Sequence, residues 1–201
     1  MRVVVCGPPH SGKSTFSAAL ITGIRERQRD RGFHLSFGWT PLDVTDNSIA
    51  ALQNPDKEIP RKRDVEWSDE RAEERKAVFE AQDQELVLAD APGKITDQLE
   101  ILVEPADAVI LLASKQKEDQ AEAWRSFAME HDLEVFASLT TVLDEDIEPG
   151  WDEGGGRDKR EGVLRSAERE AFEESNLNTY DDTSRRMIRQ LATDLMKEAT
   201  A

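Results

Sequence analysis

MRVVVCGPPHSGKST, residues 1–15, is the stretch whose reading decides the fold of this 201-residue chain. Val3, Val4, Val5 and Cys6 form a short apolar run rich in β-branched residues, the pattern of a fully buried parallel strand. Gly7-Pro8-Pro9-His10-Ser11-Gly12-Lys13-Ser14 follows at once and matches G-x-x-x-x-G-K-[ST] at every fixed position, with a helical pattern behind it. Strand, glycine loop, lysine, hydroxyl and helix together are the context a phosphate-cradling loop requires.

The spacing has a physical reason. A phosphate chain is wrapped only where backbone N–H groups point inward and no Cβ blocks them, which assigns Gly7 and Gly12 their places. The wrapped anion then rests on the positive end of the following helix. Lys13 is expected to reach the β- and γ-phosphate oxygens and Ser14 to ligate Mg²⁺, with Thr15 completing the loop. Pro8 and Pro9 stiffen the loop by fixing φ. Ser11 and His10 belong to the same cradle, although His10 reads equally as a surface histidine without a catalytic role.

Working outward, the first helix is expected over about Lys13 to Arg31, with Phe16, Ala19, Leu20 and Ile24 inward and Gly32 ending it. Phe33 to Trp39 reads as a second strand, and Thr40 to Arg63 as irregular. Asp43 and Asp46 fall just past that strand's carboxyl end, where open α/β sheets bind ligands. Asp43 either orients an acceptor or metal-bound water, or serves as a turn aspartate. Arg61, Lys62 and Arg63 form the dense basic cluster of this stretch. A helix runs from an N-cap at Ser68 to about Ala81.

Glu85 to Ala89 is the next buried strand, ending in Asp90-Ala91-Pro92-Gly93. An aspartate at such a strand end, downstream of the loop, is expected to hold Mg²⁺ through a water. Gly93 completes a pattern that resembles the D-x-x-G of switch-type nucleotide hydrolases, in which the glycine N–H can sense a γ-phosphate. A short helix over Thr96 to Val103, a strand over Asp107 to Ala113, a helix over Glu118 to Glu130 and a strand over Leu133 to Leu139 continue the alternation. Gly162 to Ser166 reads as a short edge strand and Asp182 to Glu198 as a closing amphipathic helix. The expectation is an α/β, three-layer parallel sheet of about five strands with helices on both faces. Residues 1–201 are expected to form one nucleotide-binding domain; 144–161 reads either as a glycine-hinged lid whose Arg157 and Arg160 would complete a phosphate clamp, or as a flexible surface loop.

Composition narrows the partners. The formal charge is −16, from 42 acidic and 26 basic residues, which argues against a broad nucleic-acid surface. The single cysteine, Cys6, makes no internal disulfide and reads as a small buried hydrophobe. No run long enough to span a membrane and no signal peptide is seen, so a cytoplasmic protein is expected.

GPPHSGKST, LVLADAPG, DAVILLASK with AWRSFAMEHDLEVFASL, and GVLRSAEREAFEE together resemble the P-loop ATPase or kinase-like domain that accompanies a CRISPR-associated ring nuclease of type III systems. The resemblance spans roughly Arg2 to Leu143, and more loosely to Glu174, and it implies an ATP-binding P-loop NTPase fold. Gly7, Gly12, Lys13, Ser14 and Asp90 would take the usual roles, with Lys13 and Asp90 catalytic and Ser14 and Asp90 on the metal. It implies Mg²⁺ with ATP as cofactor and a CRISPR-associated partner, and leaves the phosphoacceptor unnamed. Two other readings stand beside the kinase or ATPase. One is a GTPase-like switch, supported by D-x-x-G but lacking the N-K-x-D signature, since SLTTVLDED follows the fifth strand. The other is a non-catalytic nucleotide-binding adaptor.

Overall fold

The computed structural model describes residues 1–31, 34–45, 48–54, 56–60, 65–143, 146–152, 160–166 and 177–201. Seven strands form one sheet: β1 (Arg2–Cys6), β2 (Phe37–Pro41), β3 (Leu86–Asp90), β4 (Ala108–Ser114), β5 (Glu134–Val142), β6 (Gly150–Trp151) and β7 (Arg160–Arg165). Their order is β2-β3-β1-β4-β5-β7-β6, parallel throughout except that β6 runs antiparallel to β7. The helices are α1 (Lys13–Arg31), α2 (Ser48–Gln53), α3 (Asp69–Glu80), α4 (Asp97–Val103), α5 (Glu118–Glu130) and α6 (Asp182–Glu198).

Alternation along the strands builds two cores. Val3 and Val5 of β1 join Phe16, Leu20 and Ile24 of α1 and Leu191 and Leu195 of α6 on one face. Val4 and Cys6 turn to the other face, among Phe79, Leu99, Leu102, Trp124 and Phe127 of α3, α4 and α5. Each strand of the sheet's centre is buried on both sides, which is why its sequence reads as a continuous apolar run rather than an alternating one.

Three expectations need correction. The sheet has seven strands, not about five. The two-residue β6 is too short to leave a periodic signal, and β7, read from sequence only as a short edge strand, extends the parallel array beyond β5. The segment expected as a short edge strand is interior: β7 pairs with β5 on one side and β6 on the other. The stretch expected to be irregular after residue 40 contains α2, whose Ile49 is buried against the α1 face. Asp46, Gly32, the Arg61–Arg63 cluster and half of the expected lid segment, Arg157 included, lie outside the described residues.

Candidate nucleotide-binding site

The loop between β1 and α1 takes its shape from its neighbours. Gly7 has φ +145°, and a Cβ there would stand 1.9 Å from the Leu112 carbonyl oxygen of β4. Its glycine is therefore demanded by the close approach of β4 as well as by the turn. Gly12 has φ +79°, and a Cβ there would meet nothing within 4 Å, so the space before α1 is open. His10 also adopts positive φ, +61°, a conformation uncommon outside glycine and concentrated at functional loops.

Three expected residues meet here. Lys13 is only 8% exposed, and its ammonium donates to the carbonyls of Gly7 at 2.9 Å and Pro8 at 3.0 Å, folding the side chain back along the loop. The Ser14 hydroxyl donates to Asp90 Oδ2 at 3.0 Å across 76 residues of sequence. The sheet makes this contact: β1 and β3 are adjacent and parallel, with Val5 in register with Asp90, so both strands end at one level. Asp90 is itself 6% exposed.

The surrounding loops dock on the same edge. Ala91 donates its N–H to the Val5 carbonyl at 3.1 Å, which ties Asp90-Ala91-Pro92-Gly93 to the end of β1. Gly93 lies so close to the loop that a Cβ on it would stand 2.8 Å from Pro9 Cα. The N–H groups of Leu42 and Asp43 both donate to the Asp90 carbonyl, at 3.1 and 3.3 Å. Asp43 Oδ1 accepts from the N–H and hydroxyl of Thr45 at 2.8 and 2.7 Å, the turn role expected as one of its two readings. Asp43 and Asp90 nonetheless line one crevice of about 10 Å³, room for a single water.

Two contacts carried no signal in the sequence. The Thr141 hydroxyl at the end of β5 donates to the Ser11 carbonyl at 3.1 Å. Lys117, in the 3-10 turn Lys115–Lys117 after β4, donates its ammonium to the Pro9 carbonyl. Both depend on where parallel strands end, which no local pattern encodes.

Beside the loop opens a cavity of about 560 Å³, walled by Ser11, Gly12 and Thr15, by Gln116 after β4, by Thr141 and by Tyr180. Ile147, from the segment expected to form a lid, contributes to the same wall. The Ser11 hydroxyl is buried there without a hydrogen-bond partner. Arg160, expected in a phosphate clamp, is placed elsewhere. Its guanidinium lies 4.3 Å from the centre of the Phe136 ring and 3.3 Å from Asp194 of α6.

The residues fit a Mg²⁺–nucleotide. Ser14 and Asp90 offer paired oxygen donors, the set a hard divalent cation takes. The open face of Gly12, the unsatisfied Ser11 hydroxyl and an α1 first turn free of acidic residues suit a phosphate chain.

Comparisons with known proteins show the fold. No family model matches the sequence, and no curated protein matches it. Among solved structures, the MinC:MinD cell division protein complex of Aquifex aeolicus aligns with TM-score 0.67 at 12% identity, over 98% of this chain and 96% of that one. The septum site-determining protein MinD of Pyrococcus horikoshii OT3, complexed with Mg-ADP, aligns with TM-score 0.66 at 12% identity, over 98% and 96%. The signal recognition particle 54 kDa protein of Aeropyrum pernix K1, in complex with GDP, aligns with TM-score 0.52 at 15% identity, over 99% of this chain and 49% of that one. The chain has a P-loop NTPase fold of the MinD-like kind. The CRISPR association implied by the sequence resemblance finds no support in these comparisons.

Proposed function

We propose that this protein binds ATP with Mg²⁺ at the β1–α1 loop and hydrolyses it. The observation that supports this reading is the 3.0 Å contact between the Ser14 hydroxyl and Asp90, the two groups that would hold the cation, on the loop whose carbonyls accept from the Lys13 ammonium. Bound Mg²⁺ would supply charge neutralisation at the β- and γ-phosphates. Lys13 would hold the phosphate chain from within the loop. The N–H groups of His10, Ser11 and Gly12 would cradle it, and Ser14 and Asp90 would fix the cation. Asp43, which lines a small crevice together with Asp90, would orient an attacking water. The structural neighbours support nucleotide binding at this loop, since one is a complex with Mg-ADP and another with GDP.

ATP is preferred over GTP on the sequence, which lacks the N-K-x-D guanine signature where SLTTVLDED follows the fifth strand. A kinase-like acceptor site and a CRISPR-associated partner remain expectations of the sequence resemblance alone. A switch-like output is favoured by one observation: Gly93 of the D-x-x-G stretch packs directly on Pro9, which would couple that stretch to the loop.

A phosphate-release assay over a Mg²⁺ titration tests the reading. The wild-type chain is expected to release phosphate from ATP faster than from GTP. Ser14→Ala and Asp90→Asn are expected to lose about 100-fold or more, the scale of removing a metal and charge partner at the reacting phosphate. Equal turnover of ATP by wild type and Asp90→Asn would overturn the catalytic part, and equal use of GTP would overturn the choice of base.

A further inference from the structure

We propose that Lys117 is a second phosphate-binding lysine, supplying donors that this chain's own loop lacks. The inference rests on the nucleotide-binding reading above and assigns a further residue to that site. A phosphate loop works through backbone N–H groups, yet two of its residues here, Pro8 and Pro9, have none. The deficit falls beside Gly93, on the side of the loop that the D-x-x-G stretch touches.

Lys117 stands where the deficit is. Its ammonium donates to the Pro9 carbonyl from a position 108 residues away in sequence. Lys13 already donates to the carbonyls of Gly7 and Pro8. Three consecutive loop carbonyls, those of Gly7, Pro8 and Pro9, therefore each accept from an ammonium group, and two cations share one short stretch of backbone. Like charges held side by side repel. An anionic phosphate chain between them reverses the sign of that interaction. An ammonium has three donors, so the bond to Pro9 leaves two for phosphate oxygens.

The charge environment agrees. Lys115, two residues earlier, pairs with Glu118 at 2.7 Å. Lys117 makes no ion pair with a described residue, in a chain where 42 acidic residues outnumber 26 basic ones. It is half-buried, so solvent and salt screen it less than a surface lysine. Its platform is firm as well. The 3-10 turn follows directly on β4, and Leu112 of β4 is the residue against which Gly7 packs. Lys117 and the loop are thus fixed to the same strand end.

Calorimetric titration of the full chain with Mg-ATP and Mg-ADP at constant ionic strength tests the assignment. Lys117→Met keeps much of the stem and removes the charge; Lys117→Gln keeps a polar end without charge; Lys117→Arg keeps charge and donors. Met and Gln are expected to weaken ATP by about 10- to 100-fold, the scale of a lost charge-assisted hydrogen bond, and ADP by less. Arg is expected to recover most of the loss. ATP affinity within twofold of wild type in Lys117→Met and Lys117→Gln would overturn the proposal. So would an equal loss for ATP and ADP that Arg does not recover, which would make Lys117 a brace for the loop. Either result leaves nucleotide binding by wild type intact. A wild-type chain that binds neither nucleotide would sink the underlying reading and this assignment with it.

Discussion

Gly7 and Gly12 occupy the two fixed glycine places of one motif, yet they answer to different constraints. Gly7 cannot carry a Cβ because the Leu112 carbonyl of β4 would be 1.9 Å away; Gly12 faces open space, and only its positive φ asks for glycine. Gly7→Ala is therefore expected to cost about 3 kcal/mol or more in urea unfolding, as an overpacked core position does, and Gly12→Ala about 1 kcal/mol. Equal costs would contradict this. Cys6, one residue earlier, is fully buried. Burial pushes its thiol up to about 12, with Lys13 pulling down and Asp90 pushing up by less. A thiol reagent at pH 8 is expected to leave the native chain unlabelled and to label it once denatured. At this scale the sequence shows the identity of the loop residues well. The loop pattern points to Lys13 and Ser14, and the strand-end aspartate to Asp90. Lys117 and Thr141 reach the loop through strand ends far apart in sequence, so no spacing announces them.

Among the elements, α1, α5 and α6 have the bounds their sequence implies, and in α6 the Asp181 cap and the apolar spacing agree. The misses are short or tertiary in origin. α2 has six residues and β6 two, too few for a period to show. β2 is expected from residue 33 but occupies Phe37–Pro41, set by pairing with β3 and not by composition. The start of α6 offers a test of electrostatics. Burial pushes the Asp181 carboxyl up, but the Ser184 N–H, the Ser184 hydroxyl and the Arg165 guanidinium together outweigh it and hold the group below its ordinary range. Asp181 accepts from the Ser184 N–H at 2.7 Å and from Arg165 at 2.8 Å, joining β7 to α6. A carboxyl depressed in the folded state stabilises the fold fully above its ordinary value. That contribution is lost as pH falls through the folded value. Asp181→Ala is expected to lower stability by about 1–2 kcal/mol at pH 7. The gap to wild type should close in acid, as urea midpoints across pH would show.

Over the whole molecule, charge and topology set the remaining behaviour. The formal charge of −16 is spread along the chain, and no helix among the described residues is long and apolar enough to cross a membrane. Self-repulsion of that size destabilises the compact state at low salt, and a Debye length of about 3 Å at 1 M removes most of it. The melting temperature is expected to rise by about 3 °C or more between low salt and 1 M NaCl, read by calorimetry; a fall would show that attractive pairs dominate. The alternation of strands and helices is legible from sequence because parallel sheets need crossovers. The strand order, which sets Asp90 beside Ser14, comes only from packing. That juxtaposition underlies everything assigned to the site. Isothermal titration of the wild-type chain and of Lys13→Ala with Mg-ATP addresses it most directly. The account predicts one ATP per wild-type chain and a loss of affinity of about 100-fold or more in Lys13→Ala. Matching affinities in the two proteins, or no binding to wild type at millimolar ATP, would contradict it.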